Sequence, residues 1–371
     1  MPSQAQLIRE SWAVAEPAAD RIAQYFYAAL FHANPSLRDM FPATMTVQRI
    51  RLLRALTTII QVIDQPDRFS VLLAELGRDH RKFEVTPEHY DQVGDALFYA
   101  LKLHMRDHWT PEVQHAWEDA YAVISREMRR AADEAAAYGP PYYRGTVVDI
   151  ARPGHDIAII KVKPEPDLVY RPGQYVSVET PRRPRMWRPM SMANAPSAGG
   201  ELEFHVKTVP GGWVSGSMVT ETQPGDVWKI GPPLGLLGLV THGERDLLLV
   251  TGGTGIGPVM SMLPDLEHRS PSTRLHLFHG VRYSRELYLN GVLDDLVMRD
   301  PMLDVVKVVS REPKYTGIRG SLPDVVAQHA DWSNHDVVVS GSPSLIQATV
   351  RTLSSRGVPL SRIYYDTFTI D

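Results

Sequence analysis

The stretch LGRDHRKFEVTPEHYDQVG, residues 76–94, sets His80 and His89 beside Tyr90 in a run of helical character. The chain has no cysteine, so thiol catalysis, disulfides and thiolate-held iron–sulfur or zinc centres are excluded, and any metal must come through histidine, a carboxylate or a cofactor. On one straight helix the two imidazoles would lie near half a turn out of phase, so at most one of them would face inward. A second chemical signal is LLLVTGGTGIGPVMSML. An apolar strand runs into Gly252, Gly253, Thr254, Gly255 and Gly257, and Pro258 then opens a helix; such a turn lets a backbone approach a pyrophosphate and presents free N–H groups to it. A dinucleotide-binding turn of the common kind has an acid about 20 residues on for a ribose hydroxyl. Here the next strand ends LFHGVRYS, with Arg282 and Ser284 and no acid at its tip, which argues against the ordinary dehydrogenase pattern.

The elements that must position these residues are legible in outline. The chain has 371 residues, 43% of them apolar and 22% charged, ordinary values for a globular protein of two or three domains. A net charge of −4 offers no basic field to a nucleic acid. No signal pattern opens the chain and no apolar run is long enough to span a bilayer, so the expectation is a cytoplasmic protein without membrane insertion. From Ser3 to Tyr138 apolar residues recur at helical spacing, with breaks or starts at Asn34-Pro35, Phe41-Pro42, Thr86-Pro87 and Thr110-Pro111. After AADEAAAYGPPYY the period becomes two, over 146–150, 157–162, 175–179 and 202–206, which predicts a small antiparallel barrel. From Arg245 onward apolar strands alternate with helices, the pattern of a parallel α/β sheet. The expected division is 1–138 all-α, 139–241 barrel and 242–371 α/β.

With FYAALF (26–31) and DHRKFEVTPEHY (79–90) the helical third resembles the globin domain of flavohaemoglobins, the fusion of a globin with a ferredoxin-NADP-reductase-like module. The resemblance implies that His80 is the proximal haem ligand and Tyr90 its neighbour. It also implies that Tyr27 and Gln48 are the distal polar pair over bound O₂, Leu52 a distal lid and Phe41 a wall against the porphyrin. In the barrel, MWRPMSMANAP taken alone is a strand with a surface arginine. Followed by GGWVSGSM and preceded by PGQYVSV, it is similar to that family's flavin site, implying that Arg188, Met190 and Ser191 meet FAD and that Gly212, Val214 and Ser215 form a second phosphate-holding turn. SGSP, with Gly341, Ser342 and Pro343, resembles the family's later nicotinamide turn without its cysteine. YYDTF resembles the C-terminal strand whose aromatic, here Phe368, covers the flavin; an ordinary strand aromatic remains the alternative.

The resemblance spans nearly the whole chain and implies haem b, FAD and NADH or NADPH as cofactors, a monomer, and O₂ and NO as small-molecule partners. The implied activity is an electron relay from nicotinamide through flavin to haem that converts NO and O₂ to nitrate. A reductase with another acceptor and a haem-based sensor or carrier stand as alternatives. Three departures bear on the choice. Aligned through WEDAYAVI, Ala132 takes the place of a glutamate that the resemblance implies beside the proximal histidine, a one-residue slip bringing in Asp133 instead; Met190 replaces an aromatic, and Asp79 and Asp366 stand where the family pairs a base with an acid, which shifts attention to Arg78 or Arg81. Arg282 either meets a 2′-phosphate or is simply solvated, so the nicotinamide preference stays open.

Overall fold

A computed structural model describes residues 3–242, 245–266 and 273–366. The chain forms two compact units, residues 1–142 with 184–186, and 143–183 with 187–371.

The first unit is all-helical: α1 (Gln4–Ala15), α2 (Ala19–Ala33), α3 (Thr46–Val62), α4 (Pro66–His80), α5 (Pro87–Met105) and α6 (Pro111–Ala136). Its punctuation is local chemistry. Asn34 caps the end of α2, while Pro87 and Pro111 open α5 and α6 where a missing N–H costs nothing. Thr110 accepts the N–H of Val113, and His89 Nδ1 accepts the N–H of Thr86 at 3.0 Å. Between α4 and α5 the chain turns through Glu84 at φ 54°, a left-handed conformation that no helix can pass through. The two histidines therefore sit on different helices, and the half-turn phase argument does not apply to them.

The second unit holds two six-stranded sheets. β1 (Tyr143–Ala151), β2 (Ile157–Glu165), β3 (Tyr175–Glu179), β4 (Arg188–Ser191), β5 (Leu202–Lys207) and β6 (Val227–Ile230) form an antiparallel barrel ordered β4-β3-β6-β1-β2-β5, with α7 (Trp213–Glu221) between β5 and β6. The strands then run parallel, in the order β10-β9-β8-β7-β11-β12. They are β7 (Leu247–Gly252), β8 (Leu275–Val281), β9 (Leu303–Val309), β10 (Ile318–Arg319), β11 (Asp336–Ser340) and β12 (Ile363–Tyr364). α8 (Gly257–Leu266), α9 (Asn290–Arg299), α10 (Leu322–His329) and α11 (Pro343–Ser355) connect them. β7 and β11 are buried along almost their whole length, as central parallel strands covered on both faces must be. The architecture is the expected one: helical domain, antiparallel barrel, parallel-sheet domain. Among the described residues no helix is long and apolar enough to cross a membrane.

Candidate functional site

In the first unit α4 carries Phe69, Leu72, Leu73 and Leu76 at helical spacing, and His80 continues that stripe one turn on. The stripe packs on α6 through Gly77. A Cβ there would lie 2.2 Å from the Met128 carbonyl oxygen, so only glycine lets the two backbones approach this closely. His80 enters an apolar cavity of about 190 Å³ shared with Leu52, Tyr90, Val93, Tyr121 and Met128. Its Nδ1–H donates to the Leu76 carbonyl at 2.7 Å, which fixes the ring and leaves the Nε2 lone pair for a ligand. Burial lowers the imidazole's pKa, so the ring is neutral, as a metal ligand must be. His89 also lines the cavity, but its Nδ1 is engaged in the α5 cap.

Tyr27, Phe41 and Gln48 are not among the residues lining the cavity, though Tyr27, Phe41 and Leu52 belong to one core cluster beside it. Tyr27 meets Phe41 edge to face at 5.5 Å, and the half-buried Gln48 amide lies near its hydroxyl. Burial pushes its pKa up to about 12, so the phenol keeps its proton at any physiological pH. On the other side, the Tyr90 hydroxyl is buried with no hydrogen-bond partner among the described residues. Ala132 offers it none, and Arg129 and the exposed Asp133 act on it only as nearby charges. Asp79 accepts two hydrogen bonds from the buried Lys82, at 2.6 and 2.7 Å, so its charge is answered within this unit. Arg81 donates to the carbonyls of Ala135 and Gly139 at the end of α6.

These features fit a haem. Among the described residues no group of three or more metal-binding side chains gathers to hold a bare ion. His80 alone would serve an ion already held by its own macrocycle, and the apolar walls suit a porphyrin face.

In the second unit, β4 pairs with β3 so that Arg188 lies opposite Val178, and Met190 and Ser191 opposite Val176 and Tyr175. Alternation puts Arg188 and Met190 on one face of the strand and Ser191 on the other. Gly212 caps α7, Val214 is buried within it, and the Ser215 hydroxyl accepts the N–H of Val209, closing the turn. A Cβ at Gly211 (φ +75°) or Gly216 would meet nothing within 4 Å, so this helix start is open to a phosphate group.

The glycine-rich segment makes a 3-10 turn over Gly253–Ile256 before α8. Gly252 ends β7, Gly253 takes φ +56° with open space before it, and Thr254 lies inside the turn. Gly255 presses on the second turn: a Cβ there would lie 2.6 Å from the Gly341 Cα. Ser342 caps α11 and Pro343 is its first residue, while Gly257 and Pro258 begin α8. An open side and a closed side are what a backbone cradle for a pyrophosphate requires.

The tip of β8, which carries no acid of its own in LFHGVRYS, receives two from elsewhere. Glu286 accepts the N–H of Arg282 at 3.1 Å, and Glu312, from beyond β9, accepts the N–H of Ser284 at 2.7 Å. Glu286 stands just past the end of LFHGVRYS, whereas the Glu312 contact had no signal in the local sequence. Phe368 lies outside the described residues; β12 ends at Tyr364.

Comparison with known proteins accounts for all three parts. Residues 24–128 match the globin family model, 145–238 an oxidoreductase FAD-binding domain and 249–351 an oxidoreductase NAD-binding domain. A flavohemoprotein of Bacillus subtilis is 25% identical over 98% of this chain and 96% of its own. The ferredoxin–NAD(P)+ reductase component of a naphthalene 1,2-dioxygenase/salicylate 5-hydroxylase system from Ralstonia is 32% identical over 64% of this chain and 72% of that protein. A crystal structure of flavohemoglobin from Malassezia yamatoensis with bound FAD and heme superposes with a TM-score of 0.83 over 98% of both chains, at 20% identity. One histidine at the wall of an apolar cavity in the first unit and two glycine-lined turns in the second thus have a common explanation: the chain belongs to the flavohaemoglobin family, and its cofactors are haem, FAD and a nicotinamide dinucleotide.

Proposed function

We propose that the protein is a nitric oxide dioxygenase, using electrons from NADH or NADPH to turn NO and O₂ into nitrate. The observation that carries this reading is the buried Tyr27 phenol, in the core cluster that also holds Leu52, with the half-buried Gln48 amide near its hydroxyl. When bound, flavin converts a two-electron hydride into single electrons, and haem iron accepts them and holds a diatomic ligand. His80 would hold the iron through Nε2, with Leu76 fixing its ring. Tyr27, protonated throughout the working range, would donate to a diatomic ligand, with Gln48 orienting its hydroxyl. Arg188, Met190 and Ser191 hold the flavin with the Gly212, Val214 and Ser215 turn, and the segments 252–258 and 341–343 hold the dinucleotide. The boundaries at residues 138 and 241 are part of the same proposal.

A second reading, reduction of another acceptor, is favoured by the Tyr90 hydroxyl, which is buried without a hydrogen-bond partner among the described residues, so that no carboxylate joins it in supporting His80. Mixing the oxygenated ferrous protein with NO in a stopped-flow instrument separates the two. Stoichiometric nitrate and sustained turnover with NADH are expected for the dioxygenase; NO-insensitive NADH oxidation would overturn it.

A further inference from the structure

β5 lies at one end of the barrel sheet, and its residues alternate. Leu202, Phe204 and Val206 fill the barrel, while Glu203, His205 and Lys207 share the other face. That face meets the segment following β8. His205 is buried, its side chain 2% exposed, and its two ring nitrogens are both engaged: Nε2 lies 2.9 Å from Glu203 Oε1 and Nδ1 2.9 Å from the Tyr288 hydroxyl. The two rings meet edge to face at 5.4 Å. Glu203, whose carboxyl is held below its usual range by this bond, accepts the Nε2–H. Nδ1 is then an acceptor, and the Tyr288 O–H donates to it. Two residues along, Lys207 pairs with the buried Glu286 at 2.7 Å, and Glu286 in turn accepts the N–H of Arg282 at the β8 tip.

The position of this seam gives it consequence. β5 leads directly into the turn at Gly212, and its Glu203 carbonyl accepts the N–H of Ala193, two residues beyond β4. Gly257, at the start of α8, faces Ala193, and β5 also packs against the 3-10 turn Gly253–Ile256. One strand therefore links the residues assigned to flavin with the turn assigned to the dinucleotide. Apolar contacts along such a seam would tolerate sliding, whereas a hydrogen bond and an ion pair fix a register.

We propose that His205 is a positioning residue for hydride transfer, setting the spacing between flavin and nicotinamide by holding Tyr288, with Lys207–Glu286 as the second tie. The proposal rests on the reductase reading, in which a hydride, one proton with two electrons, leaves the nicotinamide C4 for the flavin N5. A misplacement on the order of an ångström slows such a step without weakening the binding of either partner.

The test uses the full-length protein loaded with haem and FAD, with Tyr288→Phe, His205→Leu and His205→Gln compared with wild type. Flavin reduction is followed in single turnover with NADH and with 4-deuterated NADH, and backbone hydrogen exchange over residues 282–289 is measured with no nicotinamide present. Tyr288→Phe and His205→Leu are expected to lower the limiting rate about ten-fold, the loss of one aligned hydrogen bond. They should also enlarge the isotope effect and speed exchange over 282–289, while FAD content and the NADH dissociation constant stay within about two-fold. His205→Gln, whose amide can accept from Tyr288 and donate to Glu203, should restore most of the rate. Wild-type rate constants in the first two variants, or losses confined to FAD content with the remaining flavin reduced normally, would overturn the proposal alone. A wild-type flavin that neither NADH nor NADPH reduces would overturn the reductase reading with it.

Discussion

Replacing Gly77 by alanine tests how His80 is positioned. A methyl group there meets the Met128 carbonyl oxygen at 2.2 Å and the Met128 carbonyl carbon and Cα at 2.8 Å. All three are backbone atoms of α6, so no rotamer change can relieve the clash. Ordinary contact begins near 3.4 Å, so α4 must withdraw from α6 by about 1.2 Å, the difference between 3.4 and 2.2 Å. Overpacking of this kind costs about 1–3 kcal/mol, and the better helix propensity of alanine returns roughly 1 kcal/mol or less. The net is a loss of up to about 2 kcal/mol, several degrees in melting temperature for a unit of this size. The withdrawal also carries His80, one turn further along α4, away from the cavity. Haem titration of the full chain, followed by the Soret band, should show affinity falling toward the level of His80→Ala, while NADH-driven dye reduction by the flavin persists. A Gly77→Ala variant with unchanged haem affinity and a raised melting temperature would refute this, because it would mean that propensity alone governs the position.

Tyr27→Phe should speed O₂ dissociation roughly ten-fold or more, the kinetic equivalent of about 1.5–3 kcal/mol for a hydrogen bond to a partly charged ligand; an unchanged off-rate by flash photolysis would place the hydroxyl elsewhere. His279, buried beside the Thr251 hydroxyl at 2.9 Å, has its pKa lowered by burial from 6.5 to about 4. The unfolded state therefore takes up the proton first. Stability should be full above about pH 6.5 and fall as pH drops toward 4, by roughly 3 kcal/mol from this group. Denaturant melts over that range should lose most of this slope in His279→Gln. Glu312→Gln should raise kcat/KM for NADPH relative to NADH, since it removes an anion held at the β8 tip by Ser284 and close to Arg285; a fixed ratio would show that the ribose lies elsewhere.

What the sequence disclosed was local. The Thr–Pro pairs at 86–87 and 110–111 announce α5 and α6 because capping needs only residues a turn apart. The long strands β7, β8 and β11 show as apolar runs, whereas β10 and β12, two residues each, and β4 and β6, four each, are too short to establish a period. His80 and His89 looked like competitors on one helix because nothing in the letters marks Glu84 as left-handed. Gly77 was silent for another reason: its explanation is Met128, on a different helix. The same holds for Glu312, which reaches Ser284 from the loop beyond β9, and for His205, whose partner Tyr288 lies well beyond the barrel.

The contact between Gly255 and Gly341 bears on how this chain can change over time. The two glycines come from turns far apart in the sequence, yet a side chain on the first would strike the backbone of the second at 2.6–2.7 Å. Gly341, at φ +152°, is itself confined to glycine. Neither position can drift first and wait for the other, since no compensating loss of atoms is possible where there is already only hydrogen. Shuffling among relatives is therefore expected to pass the segment from β7 to β11 on as one block. A hybrid joined between the two turns inherits two backbones that did not descend together, and its first defect should appear in dinucleotide binding rather than in folding.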